Sequence, residues 1–144
     1  MMRVCLIIPP SLFLADERVF PNIGLLRVAA VLEQAGHEVT VIDLNGVGNY
    51  LECLEQALGG LRFDLMGITA TSPQMIAVRG IAERLREVAL GCPIVLGGPH
   101  VTATVSSEKL DLIGKGSGRG VKQMCELREL IDILVAGDGE LAMM

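Results

Sequence analysis

Five short apolar runs, separated by segments with helical spacing, constrain this chain more than any other feature. Val4-Cys5-Leu6-Ile7-Ile8 is apolar at every position, so residues 3–8 read as a strand. Val39–Leu44, Asp64–Thr69, Pro93–Leu96 and Asp132–Ala136 repeat the pattern. A strand with one wet face alternates apolar and polar residues, whereas a continuously apolar one is covered on both faces. Between the runs, Leu25, Val28, Ala29 and Leu32 follow i, i+3, i+4, i+7 spacing after Pro21-Asn22, and Gly36 ends the segment. Residues 49–59 form a second helical segment, closed by Gly59-Gly60. Over 74–89 the stripe Val78, Ile81, Ala82, Leu85 and Val88 lies largely opposite Arg79, Glu83, Arg86 and Glu87. A further helix is expected at 122–130. Strands buried on both faces and alternating with amphipathic helices predict a parallel sheet between two helical layers. Right-handed crossovers restrict how the strands connect. The expected fold is therefore α/β, a single flavodoxin-like (Rossmann-like) three-layer sandwich with a five-stranded parallel sheet in the order 2-1-3-4-5. Residues 1–144 read as one domain, long enough to bury a core.

The totals narrow the function classes. A net charge of −5 with 3% aromatic residues lacks the basic footprint and stacking platforms of nucleic-acid binders. No apolar run approaches the ~18 residues that a membrane span needs. The opening Met-Met-Arg leads straight into the first strand with no small-residue cleavage site, so a cytoplasmic location is expected. Cys5, Cys53, Cys92 and Cys125 show no C-x-x-C or Cys/His spacing, and Cys5 inside an apolar run reads as a buried thiol. No metal ligands are expected.

In an open sheet of this type, ligands bind beyond the carboxyl ends of the strands, where the strand order reverses. The loops there are Pro9-Pro10-Ser11, Thr69-Ala70-Thr71-Ser72, Gly97-Gly98-Pro99-His100 and Gly137-Asp138-Gly139-Glu140. Glycines let a backbone approach a flat ligand closely, and small hydroxyls supply hydrogen bonds without bulk. Each loop also has a plain reading: Gly97-Gly98 as a tight turn, Thr71 or Ser72 as the N-cap of the helix that begins near Pro73. Together they suit a large planar cofactor with a polar tail.

On these loops the chain resembles the cobalamin-binding domain that precedes radical-S-adenosylmethionine catalytic domains. The resemblance runs from residue 3 to residue 140. It is carried by V-C-L-I-I-P-P at 4–10, N-I-G-L-L-R-V-A-A-V-L-E-Q-A-G-H-E-V at 22–39, V-I-D-L at 41–44, F-D-L-M-G-I-T-A-T-S at 63–72, P-I-V-L-G-G-P-H-V-T-A at 93–103 and D-I-L-V-A-G-D-G-E at 132–140. The G-G-P-H and G-D-G-E segments in this order are its specific part. The resemblance implies a cobalamin whose corrin lies on the carboxyl edge of the sheet and whose nucleotide tail enters a slot between strands and helices. Thr69, Thr71 and Ser72 would meet the tail, and Gly97, Gly98 and Gly137 would let it pass the backbone. Pro9 and Pro10 would shape the rim, and Gly24, Pro99, His100, Asp138 and Gly139 complete the implied cofactor-binding set. It also implies a covalently following radical-S-adenosylmethionine domain that would hold the [4Fe–4S] cluster and S-adenosylmethionine. Its cluster motif, C-x-x-x-C-x-x-C, does not occur in these 144 residues. The chain, which stops just after Gly139-Glu140, is accordingly expected to be a domain of a larger methyltransferase-like enzyme, with no catalytic residue of its own.

Two departures from the family pattern matter. Cobalamin domains that ligate cobalt from below use D-x-H-x-x-G after the first strand. Here Gly24 matches the final glycine, but Pro21 stands at the histidine position and Val19 at the aspartate position. Asp43-Leu-Asn45-Gly-Val-Gly48 copies the spacing after the second strand with Asn for His. No histidine ligand is therefore expected from this loop. Of the two histidines, His37 reads as a surface residue, and His100 reads as structural or tail-bonding. The second departure is the stretch 104–131 with its glycine-spaced Gly114–Gly120. It fits neither a dinucleotide fingerprint nor a phosphate loop and reads as a flexible surface loop. Asp138 and Glu140 read as closing the domain or meeting the next one.

Two alternatives stand beside the cobalamin reading. A flavin mononucleotide module would need a Ser/Thr-rich phosphate loop after strand one, where Pro9-Pro10-Ser11-Leu12-Phe13 stands. A cofactor-free interaction or receiver-type domain would place acidic residues there and an aspartate at the end of strand three, which Thr69 occupies.

Overall fold

The computed structural model describes residues 1–12 and 21–143. Its strands are β1 (Arg3–Ile8), β2 (Glu38–Asp43), β3 (Leu65–Thr69), β4 (Ile94–Gly97) and β5 (Ile133–Leu134). Its helices are α1 (Ile23–Gln34), α2 (Tyr50–Leu58), α3 (Met75–Val88), α4 (Pro99–Leu112), α5 (Arg119–Leu130) and α6 (Gly139–Ala142), with a 3₁₀ turn at Ser72–Gln74 ahead of α3. All strand pairs are parallel and the order is β2-β1-β3-β4-β5, as the alternation of apolar runs and helices predicts.

The sheet separates two apolar layers, and β1 shows why its sequence has no polar residue. Cys5 and Ile7 point into a core shared with Met66, Ile68, Ile94 and Leu96 and with the stripes of α2, α3 and α5. Val4, Leu6 and Ile8 point to the opposite face and pack on Leu25, Ala29 and Leu32 of α1. Each fully buried aliphatic side chain contributes ~1.5–3 kcal/mol, so both faces of β1 are needed to hold the layers together. Cys5 is fully buried, and burial pushes its thiol up to about 12.

Helix starts follow local chemistry. Asn22 caps α1 by accepting the amide hydrogen of Leu25 at 3.0 Å. At the start of α3, the Gln74 side-chain oxygen accepts the Thr71 amide at 2.9 Å and the Thr71 hydroxyl at 3.1 Å. Gln74 Nε2 then donates to the carbonyl of Pro9 at 2.7 Å, joining the loops after β1 and β3.

Two expectations are corrected. The glycine-spaced insert, expected as a flexible surface loop, is a short turn at 113–118, because α4 runs to Leu112 and α5, which contains the helix expected at 122–130, begins at Arg119. The short turn between them is pinned: the Asp111 carboxylate accepts the amide hydrogens of Gly118 at 2.8 Å and Val121 at 3.0 Å. These backbone donors hold the Asp111 carboxyl below its ordinary value. Gly120 lies so close to Ser107 and Glu108 of α4 that a Cβ would overlap their backbone. The glycine spacing that resembles loop sequence thus serves helix–helix contact. The second correction is β5, expected over Asp132–Ala136 and formed only at Ile133–Leu134. As an edge strand it pairs on one side alone, with Val135 adding a single further bond to Leu96 O at 2.9 Å.

Candidate functional site

β3 and β4 end side by side, with Thr69 in register with Gly97. Beyond them the two loops interlock through backbone bonds. The Ala70 amide donates to Gly97 O, and the His100 amide donates to Ala70 O, both at 3.0 Å. Gly98 sits inside this interlock at φ +98°, and a Cβ there would lie 2.8 Å from Ala70 N and O and 2.9 Å from Thr69 Oγ1. Only glycine fits a backbone position that is both left-handed and this crowded. Ser72 Oγ and His100 Nδ1, 2.9 Å apart, tie the same loops through side chains. Burial holds the His100 imidazole below its ordinary 6.5, so its neutral form is favoured at neutral pH.

A cleft of about 790 Å3 opens on the α1 side of this junction. Its floor is the part of the sheet that α1 does not cover, Gly67, Thr69, Val95 and Gly97. Three walls enclose it: Gly24 to Val28 on α1, Thr102, Ala103 and Ser106 on α4, and Val135 to Glu140 with Met143 at the far edge. The walls are joined by polar contacts. The Thr102 hydroxyl accepts the Gly137 amide at 3.0 Å and donates to Gly98 O at 3.3 Å. Arg27 of α1 pairs with Glu140 of α6 at 2.9 Å. The glycines make the depth, since side chains at Gly67 and Gly97 would fill the floor. An apolar cleft of this size with a few convergent hydroxyls is the usual form of a cofactor site.

The structure gathers nine of the expected residues along this cleft: Gly24, Thr69, Thr71, Gly97, Gly98, Pro99, Gly137, Asp138 and Gly139. Four lie outside its lining. Pro9 and Pro10 are buried, with the Pro9 carbonyl committed to Gln74. Ser72 and His100 pair with each other at the carboxyl edge beside the cleft. His37 lies at the amino end of the sheet, where it accepts the Met2 amide at 3.2 Å. Val19, the counterpart of the family's aspartate, lies outside the described residues. Among the described residues no group of three or more His, Cys, Asp or Glu side chains could hold a metal ion, and no helix is long and apolar enough to cross a membrane.

Sequence reasoning missed Gly67, Arg27, Thr102, Ser106 and Gln74. A lone glycine inside an apolar strand signals close approach and marks Gly67. Thr102 and Ser106, four residues apart, share a helix face once α4 is known to begin at Pro99. The Thr71-x-x-Gln74 spacing of a capping box marks Gln74 as a helix-start residue, but nothing local marks its bond to Pro9, 65 residues away.

A family model described as the B12 binding domain matches residues 16–126, more than half of the chain. An uncharacterized methyltransferase of Pyrococcus horikoshii is 29% identical over 94% of the chain, which spans 30% of that protein's length. The solved structure of the radical S-adenosylmethionine methyltransferase TsrM from Kitasatospora setae, with tryptophan substrate and an S-adenosylmethionine analogue bound, shares the fold. It superimposes with a TM-score of 0.61 at 24% identity over 88% of this chain and 25% of that one.

Proposed function

Because the chain belongs to the B12-binding domain family, we propose that it holds cobalamin with the nucleotide tail in the glycine-floored cleft and the corrin over the carboxyl edge of the sheet. The observation that carries this reading is the floor itself. Gly67 and Gly97 open a slot directly beside the interlocked loops at Ala70 and Gly98, where a buried tail and an exposed ring can be held together. The residues fit such a group: neutral hydroxyls at Thr69, Thr71, Thr102 and Ser106 offer hydrogen bonds, and Leu25, Val28 and Val95 offer apolar surface for an aromatic base. Bound cobalamin supplies cobalt–carbon chemistry that no side chain offers, and the chain's part is to bind, orient and shield it.

The proposal extends to the protein around this domain. A methyltransferase relative more than three times as long, and a radical S-adenosylmethionine methyltransferase of the same local fold, support a role in presenting the corrinoid to a catalytic domain for methyl transfer. In that arrangement Pro21 stands in place of the family's histidine, so this loop would offer no imidazole to cobalt. Asp138 and Glu140 border the cleft, with Glu140 paired to Arg27.

Titration of the purified protein with hydroxocobalamin, followed by absorbance and calorimetry, tests the reading. Gly97→Ala is the informative variant, because a Cβ at Gly97 meets Val135 only at ordinary contact distance, 3.7–3.8 Å, so the fold tolerates it while the floor rises. Saturable one-to-one binding that Gly97→Ala weakens is expected. Equal binding by both proteins would remove the tail from this cleft.

A further inference from the structure

Among the described residues that line the cleft, Arg27 is the only cation. Its partner, Glu140, belongs to α6, which packs on α1 with Gly139 against Val28. Asp138 lines the same cleft, so two acidic residues and one guanidinium are its charged lining. The remaining lining is neutral. It can accept a sugar or an aromatic base but cannot neutralise a charge.

A cobalamin tail carries one negative charge, on the phosphodiester between corrin side chain and ribose. Burying that charge beside two carboxylates without a cation is costly. The existing pair is exchangeable, because the Arg27 side chain is 70% exposed and ion pairs open to solvent are weak. Resting on the cobalamin reading above, we infer that Arg27 is the residue that takes the phosphodiester of the tail, and that Glu140 is a built-in competitor displaced as it does so. Arg27 is neutralised in both states. Glu140 holds it, and α6 with it, in the free protein, and turns to water when the phosphodiester takes its place. Guanidinium suits this exchange, since its planar fork meets carboxylate and phosphate oxygens alike.

The experiment compares two corrinoids on the wild-type protein and four variants. Cobalamin has the phosphodiester, ribose and base; cobinamide keeps the corrin and lacks all three. Arg27→Gln is expected to weaken cobalamin about tenfold and leave cobinamide unchanged, with Arg27→Lys retaining most of the affinity. Glu140→Gln is expected to tighten cobalamin about threefold. In the Arg27→Gln, Glu140→Gln double variant the gain from Glu140→Gln disappears. Cobalamin affinity that ignores Arg27→Gln, or losses equal for both corrinoids, would overturn the assignment while leaving the cofactor reading intact. Wild-type protein that binds neither corrinoid would overturn the cofactor reading and this inference with it.

Discussion

The hydroxyl of Thr102 accepts the amide hydrogen of Gly137 at 3.0 Å, so the first turn of α4 holds the segment after β5 across the cleft. Thr102→Val keeps the shape and removes the acceptor. Because water reaches this site, the expected loss is that of an ordinary hydrogen bond, about 1 kcal/mol. Hydrogen exchange at the Gly137 amide should quicken while that of the β1 amides slows or speeds only with global stability. An unchanged Gly137 amide would show that the wall is held by something else.

Gly98 and Gly97 are adjacent but make opposite predictions. Gly98→Ala places a Cβ on Ala70 and Thr69 at a φ of +98°, and the strain alone costs roughly 1–3 kcal/mol. The overlap adds to it, so a clear drop in the thermal midpoint is expected. Gly97→Ala should leave stability within about 0.5 kcal/mol, since its Cβ meets nothing closer than 3.7 Å, and should act on cofactor binding instead. Chemical denaturation of the two variants, followed by titration with hydroxocobalamin, checks the contrast.

Gln74 is buried, and both ends of its side-chain amide are used, by Thr71 and by the Pro9 carbonyl. Gln74→Met preserves the bulk and leaves those backbone groups without their partner. Losses of about 1–3 kcal/mol are expected, with loosening of both loops at the carboxyl edge, readable as faster exchange at the Thr71 amide.

Two carboxylates make stability fall with acid. Asp111 is held below its ordinary 3.8 by the amides of Gly118 and Val121, and Asp132 by the Ile94 amide at 2.7 Å and then Arg86 at 2.9 Å. A carboxyl depressed in the folded state contributes stability that is fully present above its unfolded value and is lost as pH falls through its folded value. Denaturation midpoints should therefore drop below about pH 4. Asp132→Asn should lower stability at neutral pH and flatten this slope. A slope of wild-type steepness in both Asp111→Asn and Asp132→Asn would reject these groups as its source.

The sequence by itself determined the layers, the parallel sheet and the edge at which the cleft opens. Those follow from local facts: apolar runs too continuous for a half-wet strand, helical stripes between them, and glycine-rich turns after strands. It also pointed to part of the cleft lining, since Thr69, Thr71, Gly97, Gly98 and Gly137 stand where such turns must be. Tertiary structure decided the rest. Residues 106–112 gave no clear periodic signal because α4 packs mainly on α5, and only that packing turns the glycine spacing at 114–120 into a helix–helix contact. β5 shrank to two residues because an edge strand's length depends on how far its single neighbour extends. Arg27, Thr102 and Gln74 became site or scaffold residues through partners 113, 35 and 65 positions away. Pairings of that range depend on chain paths rather than on spacing, so no local pattern announces them.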